Sequence, residues 1–176
     1  MDESKLIFLH GRIHIHIDRA EDLPDTDTVF FNIDGKDITD PYVTGTLSTA
    51  RIFKTKFVLN ELNPVWDESF DVWVCHHANS VKIDVKDKEH VGATFIATCS
   101  VRCKELLSGN LIEGWFDLQN GDKDQGRLKM SLQYFPKDEC ETDGLEVCNS
   151  YFPVTENNRV TLYQDADTPQ LPVVRI

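Results

Sequence analysis

The sequence predicts an all-β fold, an eight-stranded antiparallel β-sandwich with a C-terminal extension, and three observations predict it. Apolar and polar residues alternate with a period of two in short segments. Turn-forming residues separate those segments. Only 102–107 has helical character, and Gly109 ends it after a turn or two. With 176 residues, 40% hydrophobic and 27% charged, the chain is long enough for one domain with a real core plus an extension, but short for two full domains.

The elements follow in order. Ile13, Ile15 and Ile17 alternate with His14, His16 and Asp18, which makes 11–18 a half-buried strand. Pro41 opens a second strand through Val43, Gly45 and Leu47, and 53–59 reads as a third. Asn63-Pro64 marks a turn. Phe70, Val72 and Val74 line one face of a fourth strand, with Trp73 on the other. Val81, Ile83 and Val85 give a fifth, 93–101 a sixth, and 115–118 and 128–134 the last two. The sandwich is expected to close near Phe135-Pro136, so 1–136 forms the domain. Residues 137–149 are polar and acidic and read as a linker. In 150–176, Tyr151-Phe152-Pro153 and 159–164 form one more strand-like piece, expected to have no partner of its own in the chain.

Charge narrows the function. A formal net charge of −12 argues against nucleic acid, whose phosphates require clustered Lys and Arg. It also argues against simple electrostatic adhesion to an anionic membrane. A membrane role therefore needs something that reverses the field locally, as a divalent cation does. The five cysteines are odd in number and form no Cys-x-x-Cys pair, and the first ten residues carry no secretory pattern. Reduced thiols in the cytosol are the reading that fits. No apolar run approaches the ~20 residues that span a bilayer, so any membrane contact is expected to be peripheral.

Two acidic loops should meet at one end of such a sandwich. The first, 23–40, holds Asp25, Asp27, Asp34, Asp37 and Asp40; the second, after the fifth strand, holds Asp87 and Glu89. Calcium takes six to eight hard oxygen ligands, and converging carboxylates without a cation repel one another. The residues alone leave two readings open, a cation site or a set of solvated surface acids. His14 and His16 share a strand face but lack further zinc ligands nearby, so they read as a solvent-facing pair. Cys99 and Cys103 read as buried or loosely packed thiols, His76-His77 as an exposed turn, and Trp66, Trp73 and Trp115 as core or strand cover.

Thr39-Asp40-Pro41-Tyr42-Val43, then Asn63-Pro64-Val65-Trp66-Asp67-Glu68-Ser69-Phe70, then Val85-Lys86-Asp87 with Val91-Gly92 closing the loop, resemble a C2 domain. The first strand leads straight into the first acidic loop, which fits the type II C2 topology. His10-Gly11, Val91-Gly92-Ala93, Gly114-Trp115-Phe116 and the tail Ser150-Tyr151-Phe152-Pro153-Val154 with Val160-Thr161-Leu162-Tyr163-Gln164-Asp165-Ala166 resemble the amino-terminal part of the plant-type phospholipase D family. In that family the tail leads into the catalytic domain, so 150–176 is expected to be the truncated start of a phospholipase D-like region.

The resemblance implies a calcium ion held by carboxylates. Asp40 matches the second aspartate of the first loop and Asp87 the first acid of the third. Glu89 stands where a second aspartate is usual. The first aspartate is either Asp34, six residues before Asp40, or Asp27, three after Pro24; Asp27 is slightly preferred. The glutamate, and a later acidic position lost at His90-Val91, imply weak or single-ion binding. Lys54 and Lys56, with Arg51, stand where C2 domains can carry a basic phosphoinositide-binding face, or form a solvated face. Phe30, Phe31 and Ile33 are candidates to enter the lipid interface, or to pack back on the sandwich. Catalysis in phospholipase D uses paired His-x-Lys-x-x-x-x-Asp motifs; none of the six histidines has lysine two places on, so no covalent chemistry is expected of this chain. Three functional readings follow: a calcium-dependent phospholipid-binding module, a calcium-independent protein-interaction module, and the regulatory front end of a phospholipase D.

Overall fold

A computed structural model describes residues 6–26, 38–89 and 91–137 in full, and the backbone of 152–156 and 159–163. The candidate residues Asp27, Phe30, Phe31, Ile33, Asp34 and Asp37 lie outside the described residues. The elements run β1 (Ile7–Glu21), β2 (Pro41–Leu47), β3 (Ala50–Lys54), β4 (Val65–Ala78), β5 (Ser80–Lys88), β6 (Ala93–Arg102), α1 (Cys103–Leu106), β7 (Ile112–Asn120) and β8 (Lys123–Pro136). A hairpin, β9 (Phe152–Glu156) and β10 (Arg159–Tyr163), follows.

The first eight strands hydrogen-bond in the order β3-β2-β5-β6-β7-β8-β1-β4. Every pairing is antiparallel. The ladder between β6 and β7 has the single register pair Thr98↔Gln119, supported by the Asn120 side-chain amide donating to the Ile96 carbonyl at 2.9 Å, and this thin seam joins two four-stranded layers. β1 is the spine of one layer. Leu9, Ile13, Ile15 and Ile17 point inward and are fully buried, while His14, His16 and Asp18 point outward. Beside them in the same layer lie Val72 and Val74 of β4 and Leu128, Met130 and Leu132 of β8, and Val81, Ile83 and Val85 of β5 join the core from the other layer. Alternation therefore marks the core because successive side chains leave a strand on opposite faces.

Several expectations need correction. The third strand, expected over 53–59, ends at Lys54. Thr55 donates its N–H to the Val43 carbonyl at 2.9 Å, and its Oγ1 accepts the Val43 N–H at 2.9 Å, so one side chain replaces a ladder partner and the chain leaves the strand. Lys56 lies beyond that point and donates its N–H to Glu68 at 2.8 Å. His76 and His77 are not a turn; β4 continues through them, and His77 packs on the Phe8 ring at 4.7 Å. The tryptophans, by contrast, divide as expected into core and strand cover: Trp66 is buried, and Trp73 and Trp115 lie on outer faces. The tail piece does have a partner: β9 and β10 pair with each other from Tyr163↔Phe152 to Arg159↔Glu156, and β9 lies against β4.

Glycine is required at several close approaches, and Gly45 is the one that meets an aromatic ring. A Cβ at Gly45 would sit 2.0 Å from the Phe53 ring, which is buried and stacks on Phe70 with centroids 4.9 Å apart. β2 thus passes directly over an aromatic pair at the edge of the core. Among the described residues no helix is long and apolar enough to cross a membrane.

Candidate functional site

The pairing of β2 with β5 decides where the acids go. Pro41, the first residue of β2, is the register partner of Asp87, near the end of β5. Asp40 and Asp87 therefore arrive together at one end of the sandwich, although 47 residues separate them. Asp87 is 1% exposed. Its Oδ1 accepts the Asp40 N–H at 2.8 Å and its Oδ2 accepts the Thr26 hydroxyl at 2.5 Å. The Asp40 carbonyl accepts the Lys88 N–H at 3.0 Å.

A frame of short polar contacts holds the loops around this pair. Thr39 donates its hydroxyl to the Pro24 carbonyl at 3.2 Å, and its Oγ1 accepts the Thr26 N–H at 2.9 Å. The Asn60 N–H donates to Asp40 Oδ1 at 2.8 Å, and Asn60 Oδ1 accepts the Ile38 N–H at 3.0 Å. Asn60 has φ of 51°, a left-handed turn position that asparagine tolerates better than most residues. The Trp66 indole N–H donates to the Pro41 carbonyl at 3.3 Å and closes the frame from below. Sequence reasoning missed Thr26 and Asn60. The Asn60-Glu61-Leu62-Asn63-Pro64 run signals a turn, but only the fold shows which aspartate it grips.

Glu89 sits half-buried beyond β5 and accepts the Thr94 hydroxyl at 2.8 Å. It is turned toward β6, and among the described residues no group of three or more His, Cys, Asp or Glu side chains is placed to hold a metal. The donor chemistry nonetheless suits a hard cation. Both carboxylates at this end offer oxygens, and each Asp87 oxygen that accepts one proton donor keeps a further lone pair. Two carboxylates fall short of six to eight oxygens, so a calcium ion here would need carbonyls, water and an acid from the first loop as well.

A second charged surface lies on the outer face of β2, β3 and β5. Register places Lys54 and Asp84 on either side of Thr44, Arg51 and Lys82 on either side of Thr46, and Lys86 beside Tyr42. The Lys54 ammonium stands 4.2 Å from the Tyr42 ring centroid, and Lys88 is 4.2 Å from that of Phe57. Burial lowers the Lys54 pKa below the usual lysine range, and the neighbouring cations Arg51, Lys86 and Lys88 lower it further. Lys54 thus joins a basic face, and its companions are Arg51 of β3 and Lys86 and Lys88 beside it from β5, rather than Lys56. The alternation of Lys82, Lys86 and Lys88 with Ile83, Val85 and Asp87 was the available signal.

The histidine pair on β1 is engaged by β4. His14 Nδ1 is 3.1 Å from Asp71 Oδ1, and His16 Nδ1 is 2.9 Å from Ser69 Oγ. Arg12 also binds Asp71 and lies over the Phe135 ring, 4.3 Å from its centroid. The Cys99 thiol is pushed up to about 12, by burial first and then by the charge of Asp84, and burial pushes Cys103 up to about 11. Neither is a ready nucleophile.

A two-layer antiparallel sandwich with acids gathered at one rim defines a class, and comparison with known proteins agrees. The C2 domain family model matches residues 11–118, and the chain belongs to the C2 domain family. More particularly, it is similar to plant phospholipases D. It is 34% identical to phospholipase D gamma 3 of Arabidopsis thaliana over 202 aligned positions, which cover 96% of this chain and 23% of that protein. It is also 34% identical to phospholipase D beta 1 of the same plant, covering 98% of this chain and 19% of that one. The chain thus spans about a quarter or less of the length of these curated relatives. A solved C2 domain of plant Extended Synaptotagmin 1 superposes with a TM-score of 0.60 at 27% identity, covering 74% of this chain and 98% of that one.

Proposed function

We propose that the chain is a calcium-dependent phospholipid-binding C2 module that brings a phospholipase D-like protein to membranes. The observation that carries this reading is the meeting of Asp40 and the buried Asp87 at one end of the sandwich, bonded to each other at 2.8 Å. In this reading Asp40, Asp87, Glu89 and either Asp27 or Asp34 hold the ion. A charge of +2 offsets the repulsion between these acids and anionic headgroups, and its open coordination sites accept phosphate oxygens. Phe30 and Phe31 then enter the interface, and the basic face around Lys54 contacts headgroups, with Lys56 at its margin. The module works as a peripheral protein on the cytoplasmic side of a membrane, as the regulatory front end of a hydrolase of phospholipid phosphodiesters. Sedimentation with phosphatidylserine-containing liposomes tests it: the protein should pellet in millimolar calcium and stay in solution with chelator. Equal pelleting in both removes the switch.

A second reading, a calcium-independent protein-interaction module, draws support from Glu89, which is turned onto Thr94. Isothermal titration separates the two. No heat and no thermal shift at millimolar calcium would favour the second.

A further inference from the structure

The strand order leaves one side of the sandwich open. β3 and β4 stand at its two ends, so among the described residues each has a ladder on one side only. The β6–β7 seam closes one side, and β3 and β4 border the other. There Phe53 of β3 stacks on Phe70 of β4. The loop 55–64 joins the two strands round this side, and the Lys56 N–H ties it to Glu68 of β4 at 2.8 Å. β4 is a long edge, 14 residues from Val65 to Ala78. Such an edge is a template for pairing with another chain, and native proteins blunt it with lysine, proline or a cover. β4 contains neither lysine nor proline. A cover is present instead: β9 lies against β4 and also against β3. β10 pairs with β9, yet the hairpin stays a separate two-stranded sheet. It packs on the open side rather than lengthening the ladder.

We infer that the open side between β3 and β4 is an interaction surface whose occupant is the chain's own tail, with the β9–β10 hairpin as a strap across the two edges. Three observations favour the tail over a second copy of the chain. The hairpin is seated there and reaches both edge strands. Residues 137–151 alone separate β8 from β9, so the encounter is intramolecular. A short tether gives an effective concentration on the order of millimolar, which a second copy at micromolar concentration does not match. Pro153 removes a backbone donor from β9, which makes that strand a poor relay for further pairing. The strap has two effects. It adds a tie between the layers on the side opposite the thin β6–β7 seam, and it withholds β4 from strand addition by another chain.

The test is amide hydrogen exchange followed by mass spectrometry on the whole chain, with chelator present, at low and high micromolar concentration. In the wild type the amides of β9 and β10 should exchange at least about tenfold more slowly than those of an unstructured peptide. Free exchange there overturns the inference without any variant. Thr161→Pro removes a ladder donor at the centre of β10, where Thr161 pairs with Val154. It should release the hairpin and speed exchange in β3 and β4 about tenfold, while β7 and β8 stay as protected as in the wild type. Unchanged protection of β3 and β4 in the folded variant would defeat the strap. Loss spread equally over β7 and β8 would also defeat it, since the tail would then act on the whole fold and not on this side. Sedimentation velocity names the occupant. The wild type should stay monomeric, and Thr161→Pro should associate as concentration rises. A wild-type dimer whose β4 protection is lost on dilution would give this side to a second copy and overturn the assignment to the tail. None of these outcomes depends on calcium, so they stand apart from the calcium reading.

Discussion

Asp87→Asn separates what the buried carboxylate does for the fold from what it does for an ion. In the wild type two bonds end on a charged acceptor, from the Asp40 N–H at 2.8 Å and the Thr26 hydroxyl at 2.5 Å. Asparagine keeps the shape. Its oxygen takes the Asp40 N–H, and its amide donates to Thr26, whose hydroxyl turns round to accept. Both bonds survive but lose their charge, falling from about 1.5–3 to about 0.5–1.5 kcal/mol each. Relief from burying a charge offsets part of that loss, so the variant should be about 1–2 kcal/mol less stable in chelator. For a chain of this size that is about 2–8 °C in Tm. Calcium at ten times its Kd should add about 1.4 kcal/mol to the wild type, or about 3–6 °C, and nothing to the variant. Thermal unfolding followed by circular dichroism, with chelator and with millimolar calcium, reads both effects in one set of four melts. A variant that gains as much from calcium as the wild type would show that Asp87 is not a ligand. A variant that melts with the wild type in chelator would refute the hydrogen-bond account.

Two further outcomes concern the fold. Gly45→Ala places a methyl 2.0 Å from the Phe53 ring, which is stacked on Phe70 and cannot swing into solvent, so overpacking should cost about 1–3 kcal/mol in urea unfolding. Wild-type stability at that position would show that the ring yields. Asp18 and Asp71 both titrate below the ordinary 3.8. Asp18 does so through its bond from Lys129, against burial, and with help from Arg19; for Asp71 burial pushes upward, but His14 and Arg12 together outweigh it. Depressed folded pKa values mean that their stabilisation is present above about pH 4 and fades as pH falls through the lower folded values. Urea midpoints between pH 5 and pH 2 should therefore drop, and the Asp18→Asn, Asp71→Asn double variant should drop less steeply. Parallel curves would show that other groups govern acid unfolding.

Much of the sandwich was legible because strand patterning is local. Ile13, Ile15 and Ile17 against His14 and His16 announce a strand with one wet face, whatever it pairs with. Strand ends were not legible. Lys54 and Lys56 look like neighbours on one strand, yet the Thr55 side chain replaces a backbone partner and ends the strand between them. His76-His77 looks like a turn because polar residues cluster there, whereas pairing with β1 carries β4 through them. The tail strands seem partnerless because a short hairpin carries little periodicity of its own.

The sequence alone determined which residue types were available: acids enough to meet a hard cation, core-facing apolar rows, and motifs that resemble the C2 domains of plant phospholipases D. Tertiary structure alone decided adjacency. The register Pro41↔Asp87 brings Asp40 to Asp87, and β3 and β5, pairing on either side of β2, set Thr44 between Lys54 and Asp84. The physical reason is that periodicity tells which face a side chain takes, while the neighbour across the sheet is chosen by hydrogen-bond register between distant segments.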